Sequence, residues 1–219
     1  MKLSLTEENY LKAIFHLSQQ GHQAVSTNAI ADAMDTKPAS VSDMLRKLSN
    51  KKLINYKKYQ GVKINTEGQE AAIRVIRKHR LWEVFLVDKL KFNWDEVHEV
   101  AEQLEHIRSP LLIKRLDEFL GQPKFDPHGD PIPDDSGSFP ELQKFPLSEL
   151  KPGEMASVVG LGETSSVFLK YLDKIHIKLG VKVKVIEIVE FDNSYEVSIN
   201  NHSPIIISAQ IAQNLMVNY

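Results

Sequence analysis

The sequence contains no cysteine among its 219 residues and no long uninterrupted apolar segment. The first absence excludes disulfide bonds, thiolate zinc sites, iron–sulfur clusters and cysteine nucleophiles. The second argues against a membrane-spanning helix, which needs roughly 18–20 apolar residues. The N-terminal segment is already acidic at Glu7 and Glu8, which does not fit a secretory signal peptide. We therefore expect a cytoplasmic protein that has no membrane partner.

The net charge of −2 hides an uneven distribution of charged side chains along the chain. Residues 1–80 carry 14 basic and 7 acidic side chains, residues 81–144 carry 7 and 14, and residues 145–219 carry 6 and 8. A basic segment favours a polyanionic partner, whereas an acidic segment favours cations. Chance clustering of charge on solvated faces is the alternative interpretation.

Periodic apolar residues predict three short helices and a β-hairpin in roughly the first 65 residues. The helices are expected to begin at Thr6, at Ser26 or Thr27, and at Pro38. Strand-like segments at 53–56 and 62–64 flank a lysine-rich link that ends in Gly61, as a hairpin tip does. This succession is typical of a winged helix-turn-helix, which binds DNA. A protein-interaction module with the same pattern is the alternative.

The third helix and the hairpin tip carry the predicted contacts to double-stranded DNA. Arg46 and Lys47 are expected to contact phosphates, and the hairpin lysines phosphates or the minor groove, whereas Lys37, Ala39, Ser42 and Asp43 are expected to face base edges. The predicted DNA-binding residues are Thr27, Lys37, Pro38, Ala39, Ser40, Ser42, Asp43, Arg46, Lys47, Lys57 and Lys58.

Three further helices are predicted at residues 66–89, 94–107 and 111–120. Their large apolar faces lack a partner within the segment, which predicts a homodimer. Residues 121–140 contain five of the ten prolines and three of the ten glycines, and they mark a boundary.

Histidine and glutamate recur at helical spacing on the first two of these helices. The pairs that stand four positions apart are His79 with Glu83, His98 with Glu102, and Glu102 with His106. Glu105 is adjacent to His106. Nitrogen and oxygen ligands without sulfur suit Mn²⁺ or Fe²⁺, and other divalent transition metals can substitute in vitro. Any single pair could instead be a surface hydrogen bond, and a metal-dependent hydrolase could use the same ligands. Because HExxH, GxSxG and phosphate-binding glycine motifs are absent, we predict no catalytic residue and no enzyme.

From residue 145 onwards, short alternating segments with one helix at 165–179 predict a small SH3-like β-barrel. The predicted fold is therefore mostly α with β, in three domains. A winged helix-turn-helix DNA-binding domain spans 1–70, a helical dimerisation and metal-binding domain spans 71–140, and the SH3-like domain spans 145–219.

Several of these residues stand in motifs that resemble one known family. The motifs are Arg77-Lys78-His79-Arg80-Leu81 with Glu83, His98-Glu99, Leu104-Glu105-His106 and Pro127-His128-Gly129-Asp130-Pro131-Ile132-Pro133. With the preceding helix-turn-helix, they resemble the DtxR/MntR family of metal-dependent transcriptional repressors, in particular its three-domain manganese-type members. The resemblance covers the entire chain and implies that the SH3-like domain is FeoA-like.

The resemblance implies two metal sites. One site would consist of His79, Glu83 and His98, completed by Glu163 from the third domain. The second, activating site would consist of Glu102, Glu105, His106 and Asn9. Iron-type members carry cysteine where this chain has Glu102, which favours manganese, but manganese-type members usually have aspartate in place of Asn9. Two-domain members have glutamate in place of Lys12. The resemblance therefore leaves the identity of the metal open between Mn²⁺ and Fe²⁺.

The resemblance also implies a mechanism. The metal would tie the first helix to the dimerisation domain and so set the separation of the two recognition helices of a homodimer. That separation must match the half-sites of a palindromic operator, about 34–36 Å apart. The regulated genes would serve metal-ion homeostasis. The alternatives are a winged-helix regulator that senses an organic ligand, and a metal-dependent hydrolase fused to a DNA-binding module.

Overall fold

The computed structural model describes residues 2–57 and 60–219, and the predicted DNA contact Lys58 lies outside them. The N-terminal elements are α1 (Leu5–Leu17), α2 (Thr27–Ala33), α3 (Pro38–Asn50), β1 (Ile54–Lys57), β2 (Gly61–Ile64), α4 (Thr66–Asp88), α5 (Val97–Leu104) and α6 (Pro110–Phe119). The C-terminal elements are β3 (Phe145–Pro146), β4 (Met155–Leu161), α7 (Ser166–Lys174), β5 (Lys182–Ile188), β6 (Tyr195–Ile199), β7 (Ile205–Ile207), α8 (Ala209–Asn214) and β8 (Leu215–Asn218). Among the described residues, no helix is both long enough and apolar enough to cross a membrane.

The chain divides into two compact units. The first unit contains the residues up to His79, Glu102–Ile113 and Pro133–Ser138. The second unit contains Arg80–Ala101, Lys114–Ile132 and Phe139–Tyr219. The predicted domain boundaries near residues 70 and 140 stay predictions from the sequence.

Helix α1 begins at Leu5, one residue earlier than predicted, because Ser4, rather than Thr6, caps it. The Ser4 hydroxyl accepts a hydrogen bond from the Glu7 amide, and the Glu7 carboxylate accepts one from the Ser4 amide. This reciprocal capping box satisfies two amides that would otherwise lack partners at a helix start. Burial alone would raise the pKa of Glu7, but hydrogen bonds from Lys51, the Ser4 amide and Lys47 lower that pKa to about 2.

The first unit confirms the predicted three helices and hairpin. Helix α2 contacts α1 and α3, and these two helices contact β2 and β1 of the hairpin, respectively. The apolar faces of the three helices bury Leu11, Ile14, Ile30, Leu45 and Leu48 completely. Strands β1 and β2 pair antiparallel over four positions, from Ile54 with Ile64 to Lys57 with Gly61. The core thus holds α3 with one face exposed, as DNA recognition requires.

Helix α5 is shorter than the predicted segment at 94–107. The Trp94 side chain belongs to the apolar core of the second unit, and its indole N–H donates to Asp173 at 3.1 Å. The Glu96 amide bonds the Asn93 carbonyl, which makes a turn instead of a helix start. Tertiary burial of Trp94 therefore delays the helix until Val97.

The C-terminal part of the second unit is a six-stranded antiparallel sheet in the order β3-β8-β4-β5-β6-β7. Helix α7 packs on it and buries Phe168, Leu169 and Leu172. This helix ends at Lys174, earlier than the predicted residue 179, because His176 adopts a positive φ of 59° that continues no α-helix. The sequence patterns also did not predict α8 and β8. Strand β8 pairs with β4, which lies more than 50 residues earlier in the chain.

Gly129 is the position in the second unit where the backbone most clearly requires glycine. Its φ is +83°, and an added Cβ would lie 2.2 Å from the Val159 carbonyl oxygen. Gly153 has a similar φ of +93°, but nothing lies within 4 Å of an added Cβ there. The two glycines therefore separate the effect of backbone strain from the effect of close packing.

We expect Gly129→Ala to lower the free energy of unfolding by about 3 kcal/mol or more, because strain and overpacking act together. Gly153→Ala should cost only about 1–2 kcal/mol, the strain alone. Urea denaturation followed by circular dichroism measures both values. Equal losses for the two variants would contradict the tight approach of Gly129 to β4.

Candidate metal centre and DNA-binding face

A buried carboxylate, that of Glu105, is the centre of an ionic cluster in the first unit. Glu105 is 0 % exposed, and the Lys12 ammonium contacts its two oxygens at 2.8 and 2.9 Å. The His79 ring donates from Nδ1 to Oε2 of the same carboxylate at 2.6 Å, and Lys12 also reaches Glu102 at 3.3 Å. Burial alone would raise the pKa of Glu105, but His79 and Lys12 lower it below its ordinary value. Glu105 is therefore ionised at neutral pH, with its charge offset by these neighbours.

Helix α1 supplies one wall of this cluster. The Glu8 carboxylate accepts a hydrogen bond from His106 Nδ1 at 2.6 Å, and His106 Nε2 lies 3.6 Å from Glu105 Oε1. Glu8 and Lys12 are one helical turn apart, which explains why both face the segment at 102–106. Among residues 2–57 and 60–219, the buried Oδ1 of Asn9 has no hydrogen-bond partner. An orphaned buried carbonyl oxygen on this helix is suited to a hard cation.

A second cluster lies in the second unit, around Glu83, Asp126 and His128. One ligand atom from each of these three residues lies within 4.8 Å of the others, and all three residues are buried. The His128 Nε2–H donates to the Trp94 carbonyl at 2.8 Å, so Nδ1 is the atom turned towards Glu83 and Asp126, at 3.8 and 3.9 Å. His98 Nδ1 lies 3.4 Å from the other oxygen of Glu83.

The histidine and the carboxylates of this second cluster influence each other's protonation. Burial alone would lower the pKa of His128, but Glu83 and Asp126 raise it above its ordinary value. Burial, reinforced by Glu83 and Asp130, raises the pKa of Asp126. His128 is therefore an imidazolium at neutral pH, and its charge partly neutralises the buried acids.

Arg80 holds the loop that contributes Asp126 and His128. Its guanidinium lies 3.5 Å from Asp126 and 3.4 Å from Asp130, and it donates to the Pro131 carbonyl. Asp126 Oδ1 in turn accepts the amides of His128 and Asp130 at 2.8 and 3.0 Å. The loop is thus ordered by the arginine next to His79, although its prolines and glycines forbid regular structure.

The predicted metal ligands are distributed over both units. The first unit contains Asn9, His79, Glu102, Glu105 and His106, and the second contains Glu83, His98 and Glu163. Within the described part of the chain, Glu163 belongs to no group of potential ligands, and its carboxylate accepts the Ser165 hydroxyl. The set of His79, Glu83 and His98 stays a prediction from spacing on α4 and α5.

Sequence reasoning did not assign Glu8, Asp126 and His128 to these clusters. A signal existed for Glu8, which is four residues before Lys12 on the same helix. Asp126 and His128 are more than 40 residues from Glu83 along the chain, and no helical periodicity links them. Only the Pro127-His128-Gly129 motif pointed to that loop.

Most of the predicted DNA-binding residues that the structure describes are exposed in the first unit. Lys37, Pro38, Ala39, Ser40, Asp43, Arg46, Lys47 and Lys57 are exposed, whereas Thr27 and Ser42 are half-buried. Arg46 pairs with Asp43 at 2.7 Å, and the Ser42 hydroxyl donates to the Pro38 carbonyl at 3.0 Å. Lys47 contacts Glu7 of α1 at 3.3 Å. Arg46 and Lys47 are therefore exposed basic side chains whose positions are partly set by acidic neighbours.

Comparison with known families divides the chain into three matching segments. Residues 2–62 match the N-terminal DNA-binding domain of iron-dependent repressors. Residues 65–134 match the metal-binding and dimerisation domain of the same repressors. Residues 145–219 match the FeoA domain.

Individual relatives cover most of the chain. The iron-dependent repressor IdeR of Mycobacterium leprae is 32 % identical over 161 residues, which are 70 % of each protein. The diphtheria toxin repressor of Corynebacterium jeikeium is 25 % identical over 222 residues, with 92 % of each protein covered.

Solved structures are similar to this chain over nearly its full length. A manganese-dependent transcriptional repressor in complex with manganese has a TM-score of 0.85 and 32 % identity, covering 96 % of this chain and 98 % of that one. ScaR with bound Zn²⁺ has a TM-score of 0.76 and 31 % identity, covering 97 % of this chain and 98 % of that one.

Lys12→Met should lower the free energy of unfolding of the metal-free protein by about 2 kcal/mol or more, because it removes the ammonium that compensates the buried Glu105. Urea denaturation in the presence of a chelator measures this loss. Lys63→Met, which removes an exposed lysine from β2, is the matched control and should change little. Equal effects of the two variants would mean that Lys12 does not stabilise the cluster.

Proposed function

This chain belongs to the DtxR/MntR family of metal-dependent transcriptional repressors, and we propose that a divalent transition metal, Mn²⁺ or Fe²⁺, controls its binding to operator DNA through helix α1. The observation that carries the proposal is the double role of α1. This helix packs within the DNA-binding fold and also faces Glu105 and His106 through Lys12 and Glu8. The helix itself is therefore a physical connection from the acidic cluster to the DNA-binding fold.

We assign the activating site to Glu102, Glu105, His106 and Asn9, and a further site to His79, Glu83 and His98. Glu163 is a further candidate for the latter site. The buried, unpaired carbonyl oxygen of Asn9 supports the first assignment, since a neutral oxygen ligand would there gain a partner. Oxygen at Glu102, in a chain without cysteine, favours manganese over softer metals.

The chain's own side chains compensate the charges of this cluster when no ion is bound. In its absence, Lys12 and His79 compensate Glu105, and Glu8 holds His106. When bound, the ion supplies a positive charge that the carboxylates of Glu102 and Glu105 and the Asn9 carbonyl can share. The orientation of α1, and with it that of α3, then depends on how these side chains are arranged. By linkage, DNA binding must tighten metal binding by the same factor.

We propose that the repressor acts as a homodimer on a palindromic operator. Leu111, Leu112 and Phe119 on α6 expose large apolar side chains, which supports a protein interface on this helix. Two copies of α3 would then meet half-sites about one DNA turn, or 34–36 Å, apart. Arg46, Lys47 and Lys57 would contact phosphates, and Lys37, Ala39, Ser42 and Asp43 would face base edges. We place this activity in the cytoplasm and expect no catalytic turnover.

Capture of genomic DNA fragments by the purified protein tests this function directly. The capture is carried out with Mn²⁺, with Fe²⁺ under anaerobic conditions and with chelator, at one fixed salt concentration, since phosphate contacts are salt-dependent. Enrichment of palindromic fragments only with metal supports the proposal. Equal enrichment with chelator would favour a regulator that senses an organic ligand.

His106→Ala should abolish the metal-dependent gain in operator affinity, which for couplings of this kind is about 5–150-fold. The variant should remain dimeric in size-exclusion chromatography, because His106 contacts Glu8 and Glu105 of its own chain. His202→Ala, in an exposed turn of the sheet domain, is the matched control and should retain the gain. A His106→Ala protein that still binds the operator in response to Mn²⁺ would contradict the assignment of the site.

A further inference from the structure

Glu7 is a buried acid outside the ionic cluster around Glu105. It is 1 % exposed, although it lies in the first turn of α1, where acidic side chains are normally solvated. Its Oε1 contacts the ammonium groups of Lys51 at 2.6 Å and Lys47 at 3.3 Å, both at the C-terminal end of α3. Its Oε2 accepts the Ser4 amide at 2.8 Å. One carboxylate therefore joins the start of α1 to the end of α3.

Other residues in α1 and just before it contact a different segment. Glu8 contacts His106 at 2.6 Å, Lys12 contacts Glu105 at 2.8 Å, and the Leu3 carbonyl accepts from Arg108 at 2.7 Å. Helix α1 thus has ionic contacts on two sides, to α3 through Glu7 and to residues 102–108 through its neighbours. Its capping box keeps the first turn rigid, so a displacement on one side is carried to the other.

We propose that Glu7 is the positioning residue that transmits the arrangement of the ionic cluster around Glu105 to α3, through its contacts with Lys51 and Lys47. This inference rests on the proposed function, because it presupposes that metal changes DNA affinity. A buried ion pair suits the role, since water cannot replace either partner without a large loss. Lys47 also connects this contact to DNA binding, because its side chain is 54 % exposed and is predicted to contact phosphates.

The test compares the ratio of operator dissociation constants measured with chelator and with Mn²⁺. Glu7→Gln is the informative variant, because glutamine keeps the size and the capping box but removes the charge. Lys51→Met breaks the same contact from the α3 side. Lys52→Met is the matched control, since it removes an exposed lysine at the neighbouring position. The Glu7→Gln/Lys51→Met double variant is included, and all five proteins, wild type among them, are measured by fluorescence anisotropy at one salt concentration.

We expect the ratio to fall at least fivefold in Glu7→Gln and in Lys51→Met, and to stay within twofold of wild type in Lys52→Met. The double variant should lose no more than Glu7→Gln alone, because Lys51→Met breaks a contact that Glu7→Gln has already removed. Isothermal titration with Mn²⁺ in the absence of DNA should give wild-type stoichiometry and affinity within about twofold. A general loss of stability would instead add in the double variant, and thermal unfolding records it separately.

The outcomes distinguish the inference from the function it rests on. If wild type shows no metal-dependent gain, the proposed function fails. If wild type shows the gain and both Glu7→Gln and Lys51→Met retain it, the role of Glu7 is wrong. Loss of Mn²⁺ binding in Glu7→Gln would also overturn the inference, because it would place Glu7 within the metal site.

Discussion

A carboxylate that is fully removed from water requires positive charge beside it, and Glu105 draws that charge from two distant parts of the chain. Lys12 comes from the first helix of the DNA-binding fold and His79 from α4, and both contact Glu105 within 2.9 Å. Each partner is 26 or more residues away in sequence. The cost of leaving such a charge unpaired is several kcal/mol, so this one group holds α1 against the segment that carries it.

The second cluster follows the same rule with different partners. Glu83 and Asp126 are buried together, and His128 and Arg80 bring compensating charge. The prolines and glycines of the loop make no regular structure, but the guanidinium of Arg80 and the carboxylate of Asp126 order its backbone. In both clusters the protein neutralises acidic groups with its own cations, and a divalent ion can take over that role.

Regulation of DNA binding then depends on how rigidly α1 is attached to the elements on either side of it. Adjacent residues Glu7 and Glu8 bind opposite partners, Lys51 of α3 and His106 of the acidic segment. An α-helix turns by about 100° per residue, so consecutive side chains reach different elements. Because the two contacts are ionic and little exposed to water, a change at one is costly to absorb locally. A single short helix can therefore connect ligand chemistry to the position of α3.

Much of this protein follows from local pattern alone. The spacing of His79, Glu83, His98, Glu102 and His106 predicts a metal site, because ligand geometry and helical periodicity are properties of neighbours in sequence. The basic N-terminal segment predicts a DNA-binding domain, and the resemblance of the motifs, including the one around His128, indicates the family. The true cap at Ser4, the late start of α5 and the strand pairing of β8 were not accessible, since each depends on contacts between distant segments. The same holds for the ammonium of Lys12 on Glu105 and for Glu7 between α1 and α3. Burial decides which charges must pair, and burial exists only in the folded chain.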